Sequence, residues 1–188
     1  EGSIIEPSYY VPTLPLLLVN GSEGIGNGYA QKILPRCEAT LKTYIRTKIA
    51  GKKPRIKLLP SFNGFNGSIV QDEDNPSKYL IRGAVKRLNT TNLHITELPV
   101  GYQLEPYLKV LDKLVEDKVI KSYTDNSDRD VYDFKVNVTR GFTSTNTDDQ
   151  IIKALKLEKS YTENYTCIDE NNSIRVFESP EEIMDAYI

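Results

Sequence analysis

The chain has 188 residues, 24 Lys+Arg against 26 Asp+Glu, a formal charge of −2 and a pI of about 5.6, which excludes a uniformly basic nucleic-acid binder. With 39% hydrophobic and 27% charged residues and a mean hydropathy of −0.43, it is globular in composition, long enough for one domain or one and a half. No apolar run approaches the ~18–20 residues of a membrane span, Cys37 and Cys167 form no CxxC pattern, and His94 is the only histidine, so a metal-free cytoplasmic protein without membrane contact is expected.

Residues 4–12 contain too many prolines for a helix and read as extended chain. Residues 14–19 form a short buried apolar run, interrupted by Pro15 and ended by Asn20-Gly21. A glycine-dense stretch follows, Gly21-Ser22-Glu23-Gly24-Ile25-Gly26-Asn27-Gly28. A helix is predicted over 38–50, with Leu41, Ile45 and Ile49 along one face and Lys42, Arg46 and Lys48 on the other, stopped by Gly51-Lys52-Lys53-Pro54. Strands are predicted at 67–71, 79–88 and 92–98, a helix at 104–116, and short strands at 119–123 and 132–138 around an exposed turn at 125–130. A short helix at 148–157 precedes a hairpin pairing 163–169 with 174–178. Ser179-Pro180-Glu181-Glu182 then opens a helix that reaches the last residue, as if the chain continued in a longer protein. The mixture predicts an α+β fold with a largely antiparallel sheet over residues 55–188.

The charge is unevenly shared. Residues 1–30 carry three acids and no base, residues 31–60 nine bases and one acid, and the remaining 128 residues 15 bases and 22 acids. The basic segment suits either a solvated helix face followed by a basic loop, or contact with phosphates. On the second reading Lys32, Lys42, Arg46, Lys52 and Lys53 are the candidate contacts, and Asn20, Ser22 and Asn27 can donate to phosphates unless they serve only as turn residues.

The glycine stretch admits fewer chemistries than it first suggests. A Walker A loop ends in Gly-Lys-Ser/Thr, whereas Gly28 is followed by Tyr29-Ala30. A dinucleotide fingerprint needs different glycine spacing and a distant acid within a βαβ unit. Two readings remain for Ile25. It is either a wedge for a stacked duplex, which bends DNA at a cost of a few kcal/mol per step, or the apolar residue of a tight turn packed inward. Composition alone favours the second.

The order Ile5-Glu6-Pro7-x-Tyr9-Tyr10-x-Pro12-x-x-Pro15, followed by the unbroken run from Leu18 to Ala30, resembles the DNA-gate segment of type IIA DNA topoisomerases. Ile95-Thr96-Glu97-Leu98-Pro99 resembles a second motif of that family. Within the family the order is most similar to gyrase A-like subunits, those of T-even-like bacteriophages included. The resemblance implies that residues 1–36 are the end of the DNA gate and 37–188 a tower domain leading toward a coiled coil. It implies strand passage through a transient double-strand break, with ATP and Mg2+ held on other modules, and an Ile25 that intercalates into the duplex. Duplex DNA, the ATPase/TOPRIM modules and a second copy in a homodimer are the implied partners, in a host cell's cytoplasm if the protein is phage-encoded. The family's nucleophilic tyrosine follows an arginine, and no Arg-Tyr dipeptide occurs here. Tyr9 and Tyr10 match framework positions, so the nucleophile is expected upstream of Glu1 and no catalytic residue within the chain. The chain is therefore expected to bind and bend DNA without cleaving it alone. The competing expectation is a protein-interaction module with no direct DNA contact.

Overall fold

The computed structural model describes residues 11–26, 29–129, 131–169 and 171–188. The chain forms two compact units, one from the residues up to Phe62 together with Glu163–Ile188, the other from Asn63–Thr162. The resemblance places a module boundary at residue 36; by contacts the helix beyond it belongs with the preceding hairpin.

The first unit opens with α1 (Leu16–Asn20), a single turn in which the Pro15 carbonyl accepts from Leu18 N at 2.9 Å and Val19 N at 3.1 Å. Leu18 is buried and Leu16 exposed, so the apolar run is two-faced. Gly21 has φ +71°, and a Cβ there would stand 2.7 Å from the Ile33 carbonyl oxygen, so both the backbone and the space require glycine. The glycine-dense stretch belongs to a ribbon. β1 (Ser22–Gly26) pairs antiparallel with β2 (Tyr29–Ile33), with Ser22 opposite Ile33 and Ile25 opposite Ala30.

α2 (Glu38–Ile49) ends where Gly51 takes a positive φ. Its packed face differs from the expected one. Leu41 and Tyr44 are buried, whereas Ile49 is 74% exposed. The helix leans on its neighbour through i, i+3 steps, and Lys48, expected on the polar side, lies toward that neighbour with its ammonium 2.8 Å from Asp185. An irregular stretch then leads through the buried Leu58 to the second unit.

There β3 (Ser68–Gln71), β4 (Lys78–Arg82), β5 (Ala84–Arg87), β6 (Asn92–Glu97), α3 (Leu104–Glu116), β7 (Ser122–Asp125), β8 (Phe134–Asn137), α4 (Arg140–Thr145), α5 (Asp148–Ala154) and β9 (Glu158–Thr162) follow in order. They make a three-stranded sheet, β3-β4-β9, and a four-stranded sheet, β5-β6-β8-β7, with every pairing antiparallel. The strand expected over 79–88 breaks at Gly83, where the chain passes from one sheet to the other. A Cβ at that position would lie 2.3 Å from the Glu97 carbonyl oxygen. Leu93, Ile95, Phe134 and Val136 present one sheet face to Tyr107, Leu111 and Leu114 of α3 and to Ile151 of α5, forming the core. Residues 119–121, expected to begin a strand, instead finish the helix-to-strand turn, where Val119 N and Ile120 N bond the Leu114 carbonyl.

The chain returns to the first unit as β10 (Tyr165–Ile168), β11 (Ile174–Phe177) and α6 (Pro180–Tyr187). The Ser179 hydroxyl accepts from Glu182 N at 3.3 Å and caps α6 as the sequence predicts. Leu18, Ile33, Leu41, Tyr44, Leu58, Tyr165, Ile183 and Met184 form this unit's own core. The fold is α+β, with small antiparallel sheets in place of one continuous one.

Candidate nucleic-acid interface

The structure bears on one of the two readings of Ile25 left open by composition, the inward-packed turn residue. Ile25 is 93% exposed, so it does not pack inward. An isoleucine held out in water forgoes about 1.5–3 kcal/mol of burial, and its position on a hydrogen-bonded ribbon fixes the direction it faces. Next to it, a Cβ on Gly24 would meet nothing within 4 Å, and Gly24 has no positive φ. Among the described residues, neither steric crowding nor backbone conformation explains a glycine there. Gly24 adds no side chain beside the protruding Ile25.

The polar candidates divide sharply. Asn20 is exposed at the end of α1. The Ser22 hydroxyl donates to Gln31 Oε1 at 2.6 Å, so it is engaged within the ribbon. Asn27 lies outside the described residues. So does Glu1, the position upstream of which the nucleophilic tyrosine is expected, together with the framework residues Tyr9 and Tyr10. Lys32 sits 3.1 Å from Glu23, and Lys42 sits 3.0 Å from Glu38 one helical turn away. Arg46, Lys52 and Lys53 are exposed and form no ion pair among the described residues. Lys52, Lys53 and Arg55 line a shallow surface recess with Pro54.

Sequence reasoning missed Arg55 and Lys57, which are equally exposed and equally unpaired among the described residues. Their signal was present in the run Lys52-Lys53-Pro54-Arg55-Ile56-Lys57, whose lack of nearby acids leaves the charges uncompensated. Conversely, Arg36 contributes nothing to a basic surface. Its side chain is fully buried against Glu163 and donates to the carbonyls of Leu34 (2.7 Å) and Leu58 (3.0 Å). The segment's formal excess of positive charge therefore overstates what a ligand meets. The free charge is concentrated just after α2.

Two thiols and a phenol show how local fields act here. Hydrogen bonds from the backbone of Thr40 and Ala39, at the start of α2, pull the exposed Cys37 thiol below its ordinary pKa. Burial pushes Cys167 up. Burial, reinforced by the Asp185 carboxylate 2.9 Å away, pushes the Tyr44 phenol well above its usual range and keeps it a neutral donor. Among the described residues, no group of three or more His, Cys, Asp or Glu side chains converges to hold a metal ion, and no helix is long and apolar enough to cross a membrane.

An exposed isoleucine on a ribbon, followed by a helix and a run of cations with no ion pair among the described residues, gives the first unit an apolar and basic surface. Comparison with known proteins gives the family. The family model for the A-subunit of DNA gyrase/topoisomerase IV matches residues 1–188, and the chain belongs to that family. It is 35% identical over 190 residues to the mitochondrial DNA topoisomerase 2 of Dictyostelium discoideum, covering all of this chain and 14% of that protein. It is 30% identical over 192 residues to the DNA topoisomerase medium subunit of Enterobacteria phage T4, covering 98% of this chain and 42% of that one. The fold matches a crystal structure of the Plasmodium falciparum topoisomerase II DNA-binding, cleavage and re-ligation domain with a TM-score of 0.83 at 28% identity. That match covers 97% of this chain and 25% of that chain. The chain thus spans less than half the length of each of these relatives.

Proposed function

We propose that this chain is the part of an ATP-dependent type II DNA topoisomerase that binds and bends duplex DNA. The observation that carries the proposal is the 93% exposure of Ile25 beside Gly24 on the β1–β2 ribbon. Inserting an isoleucine between base pairs unstacks one step, at a cost of a few kcal/mol, and bends the duplex onto more protein surface. Arg46, Lys52 and Lys53 then meet phosphates directly, whereas Lys32 and Lys42 exchange Glu23 and Glu38 for phosphate oxygens. Asn20 and Asn27 add neutral donors, and Ser22 keeps the ribbon in shape through Gln31.

In this reading the chain performs no strand cleavage by itself. It contains no Arg-Tyr dipeptide. The nucleophilic tyrosine, Mg2+ and ATP belong to other segments and to the ATPase/TOPRIM modules, and the whole enzyme works as a dimer in the cytoplasm. The chain's own contribution is mechanical. It presents a duplex in bent form to the groups that cut it.

The test is DNA bending measured by FRET on an end-labelled duplex, beside affinity measured across a salt series. Ile25→Ala is expected to lose most of the bend while keeping affinity within a few-fold. Its melting temperature should match the native protein, because the side chain packs against nothing. A variant that bends DNA as well as the native protein would remove the wedge from the mechanism.

A further inference from the structure

Ile25 is not alone on its surface. Lys32 and Asn164 bond each other through both backbone groups (3.0 and 2.8 Å), and the Gln31 side chain donates to the Thr166 carbonyl at 2.9 Å. β2 therefore runs beside β10, and the first unit carries the succession β1, β2, β10, β11. Side chains alternate between the two faces of such a surface. Tyr165, Cys167 and Phe177 turn to the core. Their neighbours Thr166 and Ile168, with the cross-strand partners Val176 and Ile174, take the opposite face. The Lys32–Asn164 pair fixes the face of β2 in the same way, and it carries Ala30 and, across the ribbon, Ile25.

Ile25, Val176, Ile168 and Ile174 thus share one face, the last three 69%, 59% and 57% exposed. Singly exposed apolar residues need no explanation, but several on one face mark an interaction surface. Three strand spacings of ~4.8 Å separate Ile25 from Val176, or about 14 Å. That distance is less than the two grooves of a duplex, ~12 and ~6 Å wide, taken together. A strand side chain stands roughly perpendicular to its sheet. Whatever receives Ile25 must therefore lie over this face and extend toward β11. Within the four strands the face carries one described carboxylate, Glu23, and Lys32 neutralises it at 3.1 Å. Just past the strands, Asp169 follows Ile168 and the exposed Glu178 continues the β11 face, so the acids stand at the margin of the apolar residues and not among them.

Resting on the DNA reading above, we infer that the β10–β11 hairpin extends the contact made by Ile25. Val176, Ile174 and Ile168 form an apolar shelf for the sugar-lined minor groove beside the unstacked step. The occupant is a duplex, not another protein chain, because the wedge and the shelf face the same way and, among the described residues, no unpaired acid stands between them. The shelf also keeps water off the opened step, which would otherwise compete for the exposed base faces.

A charge exchange tests this with opposite signs, which a folding defect does not imitate. Val176→Glu and Val176→Lys are compared in the protein with the same two changes at Val131, 61% exposed in the other unit, as controls for net charge. Circular dichroism and melting confirm that all four remain folded. Relative to the controls, Val176→Glu is expected to weaken duplex binding five- to tenfold and Val176→Lys to strengthen it. The shelf is overturned if the Val176 variants merely track the Val131 variants. It is overturned equally if they alter only self-association in sedimentation, which would make the face a protein interface. Ile25→Ala is measured in parallel. Lost bending there with a silent Val176 exchange removes the shelf alone, whereas retained bending removes the underlying wedge.

Discussion

The guanidinium of Arg36 and the carboxylate of Glu163 meet with both side chains fully buried, although 127 residues separate them in sequence. Arg36 Nη2 donates to Glu163 Oε2 at 2.7 Å, Leu34 N donates to Oε1 at 2.7 Å, and the Tyr165 hydroxyl donates to the same carboxylate. The pair joins the end of β2 to the start of β10, so it holds together the strand succession that presents Ile25. Removing one partner strands the other charge in the interior, at a cost of about 3–5 kcal/mol. Arg36→Met is therefore expected to lower the urea midpoint sharply, and Glu163→Gln to lower it less because its amide oxygen still accepts. Replacing both together should recover much of the loss. Equal and additive losses in the two single variants and the double variant would show that the two residues are not coupled.

Gly83 is a second point of tight geometry, inside the second unit. With the Glu97 carbonyl 2.3 Å from where a Cβ would stand, Gly83→Ala must push two paired strands apart. Overpacking of this kind typically costs about 1–3 kcal/mol. Gly24→Ala meets open space and should leave the melting temperature of the free protein unchanged. Calorimetry on the two variants side by side separates a glycine required by the fold from one the fold does not require.

Much of this architecture is legible from periodicity. Ile95, Phe134 and Val136 alternate as core-facing strand residues, and the cap at Ser179 announces α6. β9 was not legible, because Glu158-Lys159-Ser160-Tyr161-Thr162 has no apolar alternation; it is a strand because β4 pairs with it. α4 escaped for a similar reason, as Arg140-Gly141-Phe142-Thr143 shows no helical stripe and its start depends on the Thr139 cap. At the site, spacing marked Ile25 as unusual but could not give its direction, since inward and outward packing share one sequence. Arg36 shows the converse limit. Counted among the basic residues of its segment, it is neutralised by a carboxylate that only the fold brings to it.

Acid sensitivity should be traceable to Asp185. Its carboxylate accepts from Lys48 and from the Tyr44 hydroxyl, and the Lys48 bond leads in holding its pKa below the ordinary value. A depressed folded-state pKa stabilises the protein above the unfolded value of about 3.9, and the contribution disappears as pH falls through the folded value. The group is nearly half exposed, so solvent screening limits the effect to about 0.5 kcal/mol. Asp185→Asn should lower stability slightly at pH 7 and narrow the gap to the native protein in the acid range below pH 4. A gap that instead widened on acidification would reverse the assignment.

The division between free and paired cations makes a quantitative claim about DNA binding. Each neutralised phosphate releases counterions, so the slope of log affinity against log salt falls by about 0.9 for every phosphate that a variant no longer touches. Lys52→Ala and Lys53→Ala remove charges with no ion-pair partner among the described residues, and each should reduce the slope by nearly that full amount. Lys42→Ala also frees Glu38, its partner at 3.0 Å, which then repels the duplex. That variant should lose affinity at least as strongly at low salt, and its loss should shrink faster as salt screens the liberated acid. Glu38→Gln separates the two contributions. It releases Lys42 without adding a charge defect, so it should tighten binding and steepen the slope if Lys42 reaches phosphate. If Glu38→Gln leaves both unchanged, Lys42 serves α2 alone, and the phosphate contacts are left to Arg46 and to the bases that follow Gly51.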